Sequence, residues 1–361
     1  MSTETTVAPS GTGGNGSAGP VRTHRRLPRY GAAALYLGGV LVGALLSALT
    51  GFSVALTVVY GVVLGTLAVY LVSRRVEGRR KATDRLVTTV VTSAFGIAMV
   101  PLVSLVYTVL DNGLGRLDSK FFNSSMLGIV GEGGGAYHAI LGTVIITALT
   151  AVISVPIGLL TAIYLVEYGT GRLKKAITFL VDVMTGIPSI VAGLFAFALF
   201  ALFFGPGIRL GIMGAVALAV LMTPVVVRSS EEVLKLVPNE LREASYALGV
   251  PKWRTILKIV IPTAIGGLGT GITLAVARVI GETAPLLVTT GFVNGTNLDP
   301  FSGRMTTLPT FSFYQLTQPG FPPEFGIDRA WTAALVLIIL VMALNVVARL
   351  ISRIFAPKTG R

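Results

Sequence analysis

The sequence predicts an all-α, polytopic transmembrane helix bundle of about eight spans. Hydrophobic residues make up 53% of the 361 and charged residues only 12%, where a soluble chain carries roughly a quarter charged. Gly31 to Ser73 holds no charged residue at all, and about 20 apolar residues already suffice for one crossing, so this stretch has to fold back once. Helices follow rather than barrel strands, which would show alternating segments of about ten residues.

Apolar runs between charged breaks place spans near 30–50, 53–73, 86–110, 138–166, 177–204, 211–228, 263–291 and 331–350. The net charge of +13 does not form a patch suited to nucleic acid. It falls instead in short clusters at Arg22 to Arg29, Arg74 to Arg85, Arg172 to Lys175, Arg228 to Lys258 and Arg349 to Arg361. The intervening loops, near 51, 111–137, 205–210 and 292–330, hold only Arg116, Lys120, Arg209, Arg304 and Arg329. Because Lys and Arg are enriched in cytoplasmic loops, this alternation predicts that both termini are cytoplasmic in a plasma-membrane protein. Four segments result. Residues 1–28 form a disordered cytoplasmic tail, Gly/Ser/Thr/Pro-rich from Ser10 to Pro20, followed over 29–85 by a transmembrane hairpin and its basic loop. A six-span core covers 86–355 with a large cytoplasmic loop at 229–260, and 356–361 is a second tail. The tail is not read as a cleaved signal, because the apolar run after it continues well past a signal-peptide core. Small residues along the spans let backbones approach closely in lipid.

The loop after the sixth span is the most informative segment. Asn239 or Pro238 starts a helix there, Glu240 and Glu243 suit its first turns, and Gly249 stops it before Pro251. A second short helix begins near Lys252 and leads through Ile259, Ile261 and Pro262 back into the membrane, so the two make a compact knob. Glu243-Ala244-Ser245, then Gly249, then Ile259, Ile261 and Pro262 resemble the cytoplasmic loop of bacterial ABC importer membrane subunits. That family carries Glu-Ala-Ala, three residues, Gly, nine residues and Ile-x-Leu-Pro. Ser245 and Ile261 depart from it. The resemblance implies that Glu243, Ala244, Gly249, Ile259 and Pro262 couple the chain to an ATP-hydrolysing subunit.

Three further stretches are similar to phosphate-specific transport permeases of the PstA-like branch: Gly186 to Phe195, Val227 to Pro238, and Ala277 to Leu286. Thr306-Thr307-Leu308-Pro309 adds to them, and the similarity runs over roughly 85–355. It implies a lipid-embedded permease that moves phosphate beside a homologous PstC-like permease, two PstB-like ATP-binding subunits and an extracytoplasmic PstS-like binding protein. Two other readings stay open, the same architecture serving sulfate or molybdate, and a carrier driven by an ion gradient.

Charges inside spans are costly and usually face the bundle interior, a partner or a path. Arg278 and Glu282 stand four residues apart on the seventh predicted span, on one helical face, in reach of an ion pair. Arg278 either meets an oxyanion, for which a guanidinium fork is suited, with Glu282 orienting it, or the two are scaffold. Arg228, at the predicted end of span six, is either an anion contact or a headgroup-seeking base, and Asp182 is expected to pair with a basic loop residue. Pro188 predicts a break near Gly186 to Gly193 that lines the path, whereas Pro156 and Pro285 read as packing kinks. No Gly-x-x-x-x-Gly-Lys-Ser/Thr loop occurs, so ATP chemistry is assigned to another polypeptide. No catalytic residue, metal site or cofactor is expected, since His24 and His138 are isolated and cysteine is absent.

Overall fold

The computed structural model describes residues 28, 30–49, 51 and 53–355. The tail expected over 1–28, with Arg22 to Arg29 and His24, lies outside the described residues apart from Pro28, as does the tail at 356–361. Among the described residues there are fourteen α-helices and no strand. Seven helices are long and apolar enough to cross a membrane, and a bent pair supplies the eighth crossing when taken as one span. The chain divides into two compact units, residues 1–104 and 105–361.

The first unit holds α1 (Gly31–Leu49), α2 (Val54–Val76) and the first part of α3 (Arg79–Gly113). Helices α1 and α2 meet along a glycine seam. A Cβ on Gly39 would stand 2.5 Å from the Gly65 nitrogen, and one on Gly43 would stand 2.7 Å from the Gly61 nitrogen. Backbones this close gain dispersion contacts that larger side chains would prevent, which matters where lipid offers no hydrophobic drive to associate. The basic stretch expected as a loop is instead a turn at Glu77 and Gly78. Arg79 to Arg85 already lie on α3 because Gly78, at φ +93°, reverses the chain at once. Glu77 is buried there, accepting from Ser73 Oγ at 2.8 Å and pairing with Arg85 Nε at 2.9 Å. The apolar flank of α3, including Val87, Val90, Val91 and Phe95, is exposed.

The second unit is built around α5 (Tyr137–Ile163), which ends in a π turn at Tyr164–Tyr168, and α8 (Gly211–Lys235). Thr150 and Ser154 donate to the carbonyls of Ala215 and Ala219 at 3.3 and 3.4 Å, and a Cβ on Gly158 would lie 2.6 Å from Val226. Small and hydroxylated residues thus bring two backbones together and cross-link them. Ile146, Leu218, Met222 and Val226 form the core with Ala275 and Val279 of α11 (Ile261–Val279). Before α5 come a 3₁₀ turn (Leu114–Arg116) and α4 (Ser119–Asn123). Between α5 and α8 lie α6 (Gly171–Thr185) and α7 (Ser189–Phe204). After α8 follow α9 (Asn239–Ala247), α10 (Lys252–Thr255) and a π turn at Ile256–Val260. Beyond α11 are α12 (Ala284–Thr289), α13 (Leu308–Thr317) and α14 (Pro323–Phe355).

At the α13 end, Phe121, Met126, Leu308 and Phe311 form a second core. The Thr306 to Pro309 motif is the start of α13: Thr310 Oγ1 accepts from the Thr307 N–H at 3.0 Å, and Thr143 Oγ1 accepts from the Leu308 N–H at 2.8 Å. Arg329, expected in a loop, lies buried on α14. It donates to the Gly131 and Gly133 carbonyls at 2.8 and 3.1 Å and to Gln315 at 3.0 Å, while Arg116 donates to the Gly134 carbonyl at 3.1 Å. His138 is buried with its ring edge-on to Phe311.

Close approach makes individual glycines indispensable. A Cβ on Gly142 would overlap the Thr306 carbonyl, whereas one on Gly96 meets nothing. Gly142→Ala is expected to lower thermal stability in detergent, by about 1–3 kcal/mol as overpacking does. Gly96→Ala is expected to leave stability unchanged or raise it slightly through helix propensity. Equal melting temperatures for the two variants would refute the close approach.

Candidate functional site

Two helix breaks build the candidate path. The fifth predicted span is α6 and α7, bent by 106°. Pro188 has no N–H and its ring clashes with the carbonyl four residues back, so α6 stops at Thr185 and α7 starts afresh at Ser189. The freed donors turn inward, from Gly186 N to the Val183 carbonyl at 3.1 Å and from Ile187 N to the Met184 carbonyl at 3.3 Å.

The second break corrects the sequence reading. Pro285 is not a kink within one span: it stands in the first turn of α12, where a missing N–H is tolerated, and α11 has already ended at Val279. Glu282 therefore leaves the helical face that carries Arg278, and no ion pair joins the two. Among the described residues neither charged group has a hydrogen-bond partner.

The breaks nevertheless face each other. A Cβ on Gly193 would lie 2.6 Å from Pro285 Cα, so α7 packs directly on the start of α12. Arg278 and Glu282 line one cavity of about 220 Å³ with Met184, Thr185, Ile187, Ser189, Leu221, Pro224 and Val225. Both breaks and the proline-bearing stretch of α8 thus supply its walls. A free guanidinium, a free carboxylate and two hydroxyls in an otherwise apolar chamber suit a small, multiply charged oxyanion better than an apolar solute.

Arg228 lies elsewhere. Span six was expected to end at this residue, but α8 continues to Lys235, so the first residues of the 229–260 loop are helical. Arg228 pairs with Asp182 of α6 and with Glu231 at 2.7 Å, and Glu231 pairs with Lys235 at 2.7 Å. Asp182 therefore pairs with a helical residue rather than a loop base. The Arg228 and Lys235 contacts to Glu231 follow helical spacing and were legible in the sequence. The Asp182 contact crosses between helices and was not.

The knob has the expected outline. Pro238 precedes α9, Gly249 ends it at φ +72°, and Pro251 precedes α10. Ser245, the departure from Ala, is buried and its hydroxyl meets Thr255 Oγ1 at 2.8 Å, tying α9 to α10. Ile259 sits in the π turn, and Pro262, near the start of α11, has no N–H for the Lys258 carbonyl, which lets the backbone widen there. Glu243 and Ala244 are exposed, and so are the large apolar side chains of Leu236, Leu248 and Trp253.

One residue escaped sequence reasoning altogether. Arg242 is nearly buried and donates to Glu167 from Nε at 3.0 Å and Nη2 at 2.8 Å, to the Val237 carbonyl at 2.6 Å and to the Leu234 carbonyl at 3.0 Å. Glu167 belongs to the π turn that ends α5, so the knob is fastened to α5 by a buried pair spanning 75 positions of sequence.

Residues 154–361 match the family described as "binding-protein-dependent transport system inner membrane component". The phosphate transport system permease protein PstA 1 of Mycobacterium tuberculosis (strain CDC 1551 / Oshkosh) is 47% identical over 284 residues, covering 78% of this chain and 92% of its own. PstA of Pasteurella multocida is 37% identical over 285 residues, covering 78% of this chain and 97% of its own. In fold, the chain is similar to a subunit of a bacterial ABC transporter involved in import of the acidic polysaccharide alginate, with a TM-score of 0.54 at 13% identity over 75% of this chain and 96% of that one. With two motif-bearing breaks meeting at one cavity and the knob in place, the chain belongs to the PstA family of phosphate transport system permeases, within the inner-membrane components of binding-protein-dependent transporters.

Proposed function

We propose that the chain forms half of the membrane channel of an ATP-driven importer and passes inorganic phosphate inward through the Arg278–Glu282 cavity. The observation that carries this reading is the cavity itself, where two helix breaks expose an unpaired guanidinium and an unpaired carboxylate to a chamber with room for a small hydrated anion. Arg278 supplies the fork that a phosphate oxygen pair fits, and Glu282 keeps the chamber from holding the anion too tightly. Energy enters at the knob. The exposed Leu248 and Trp253 on a short helical pair suit a groove on an ATP-binding subunit, because water-facing apolar side chains of this size mark a protein contact. The ATP-binding subunits are PstB-like, the second permease is PstC-like, and a PstS-like protein delivers phosphate from outside. Both termini and the knob are cytoplasmic, as the basic clusters indicate.

Arg278→Gln is expected to reach the membrane yet lose phosphate uptake by about tenfold or more, since hydrogen bonds to a charged group contribute about 1.5–3 kcal/mol. Because Glu282 is not its ion-pair partner, Arg278→Gln/Glu282→Gln should stay inactive. Near-normal uptake by that double variant would take Arg278 off the path, and preserved sulfate uptake with no phosphate uptake in the unaltered transporter would reassign the anion.

Gly249→Val places a β-branched residue at φ +72°, a conformation costing L-residues about 1–2 kcal/mol. Membrane insertion should survive while uptake and copurification of the ATP-binding subunit fall. Normal uptake would end the coupling role of the knob.

For orientation, the absence of cysteine allows single introduced thiols. Ser302 and Thr170 are both exposed. Ser302→Cys should react with a membrane-impermeant maleimide on intact cells and Thr170→Cys only after permeabilisation. The opposite pattern would invert the topology.

A further inference from the structure

Asp182, Arg228, Glu231 and Lys235 form a line of four alternating charges across α6 and α8, and its links differ in strength. The Glu231 side chain is 8% exposed and held from both sides, by Arg228 and by Lys235. The Asp182 side chain is 59% exposed and has only Arg228 as an ion-pair partner among the described residues. The Arg228 guanidinium is correspondingly divided. One terminal nitrogen, Nη1, is anchored to Glu231 at 2.7 Å, and the other, Nη2, faces Asp182, with the Thr178 carbonyl at 3.5 Å. A half-solvated pair of this kind contributes little, about 0–1 kcal/mol, so an incoming ligand with more negative charge and more acceptor oxygens displaces the carboxylate readily.

The position of the pair gives that exchange a consequence. Arg228 is one helical turn beyond Pro224 and Val225, and Asp182 is two residues before Met184, all three of which line the Arg278–Glu282 cavity. The pair therefore bridges α6 and α8 on the side of the cavity nearer α9. Asp182 is on the last turn of α6, directly before the 106° bend at Gly186 to Pro188, where no continuous helix resists rotation.

We propose that Asp182 is an intramolecular stand-in for the transported anion at Arg228. With no anion present it occupies Nη2 and ties α6 to α8, closing the cavity on the side of the knob. An anion leaving the cavity takes Nη2, Asp182 turns to water, and α6 is released at the bend. Arg228 thereby acts as the exit contact, and Asp182 is a positioning residue that never touches the anion. This rests on the reading of the cavity as an anion path.

The test uses the complete transporter in inside-out vesicles, with Ser189→Cys as a single thiol in the cavity wall, labelled by an impermeant maleimide from the knob side. In that background, inorganic phosphate on the knob side should speed labelling. Asp182→Asn should speed it without phosphate by about fivefold, the factor that about 1 kcal/mol of pairing corresponds to, and phosphate should then add nothing. Asp182→Glu, which keeps the charge, should restore slow, phosphate-sensitive labelling. Equal labelling rates with and without Asp182→Asn would overturn the stand-in role. Should Asp182→Asn fail to assemble, the Ser189→Cys protein alone decides, because labelling insensitive to every oxyanion tried overturns it as well. Acceleration by sulfate but not phosphate would keep the latch and refute the phosphate reading instead.

Discussion

Backbone polar groups have no water to bond in a bilayer, and this constraint shapes the second unit. A spanning helix satisfies its own donors and acceptors. Any interruption must find protein or a cavity to take over, at several kcal/mol for each group left bare. The chain interrupts itself at Gly186 to Pro188 and at Ile280 to Thr283, and it sets both interruptions against each other. Each closes its own freed donors with short turn bonds, such as Glu282 N to the Val279 carbonyl at 3.1 Å. Arg209 takes the exposed carbonyls of Leu287 and Val288 at the end of α12, at 2.9 and 2.6 Å. Residues of both breaks line the chamber between them. The cavity is thus the place where broken helices are tolerable, and it holds the unpaired charges for the same reason.

The charged residues divide by how fully they are compensated. Arg329 and Arg209 donate to backbone carbonyls, with Gln315 taking Arg329 Nε, and Arg116 donates from one terminal nitrogen to the Gly134 carbonyl, so loops and helix ends are anchored without an acid. Arg242 and Glu167 form a buried pair with additional carbonyl bonds, the geometry in which loss of one partner costs about 3–5 kcal/mol. Arg278 and Glu282 have no such partners. Carbonyl and ion-pair partners suit these arginines to a scaffold role, and the charges left without partners in the cavity are the ones that the proposed path uses.

Much of this was legible in the sequence, and the parts that were not share a cause. Crossing helices follow from uncharged length, the knob from Pro238, Gly249 and Pro251, and the break at Pro188 from the missing donor. The false ion pair came from treating Arg278 and Glu282 as one continuous helix. Gly281 and Pro285 carried the contrary signal, since a proline opposes helical continuation through the carbonyl four residues before it. The basic loop of 74–85 was read from charge alone, although Gly78 marked where the chain turns. Asp182–Arg228 and Arg242–Glu167 were invisible for another reason. Partners 46 and 75 positions apart meet only once the helices pack, and no local period encodes them.

The two pairs that sequence could not reveal join the knob to the cavity. Arg242 fixes α9 to the end of α5, and α5 packs along the length of α8, which carries Arg228 toward the same end. Besides the chain link from α8 at Leu236 to Pro238, the knob meets the spans at two π turns, Ile256–Val260 in the chain and Tyr164–Tyr168 across the Arg242–Glu167 pair. Leu234 and Val237 pack against Ala162 and Val260 between these turns, so the knob moves with the ends of α5, α8 and α11 together. A displacement applied at Leu248 and Trp253 therefore reaches α8 through packed side chains and one buried ion pair. At α8 it meets Arg228, which a half-solvated pair with Asp182 links to α6. On the proposed function, force from the knob and an anion from the cavity converge on the same pair, which is the physical requirement for one to be conditional on the other.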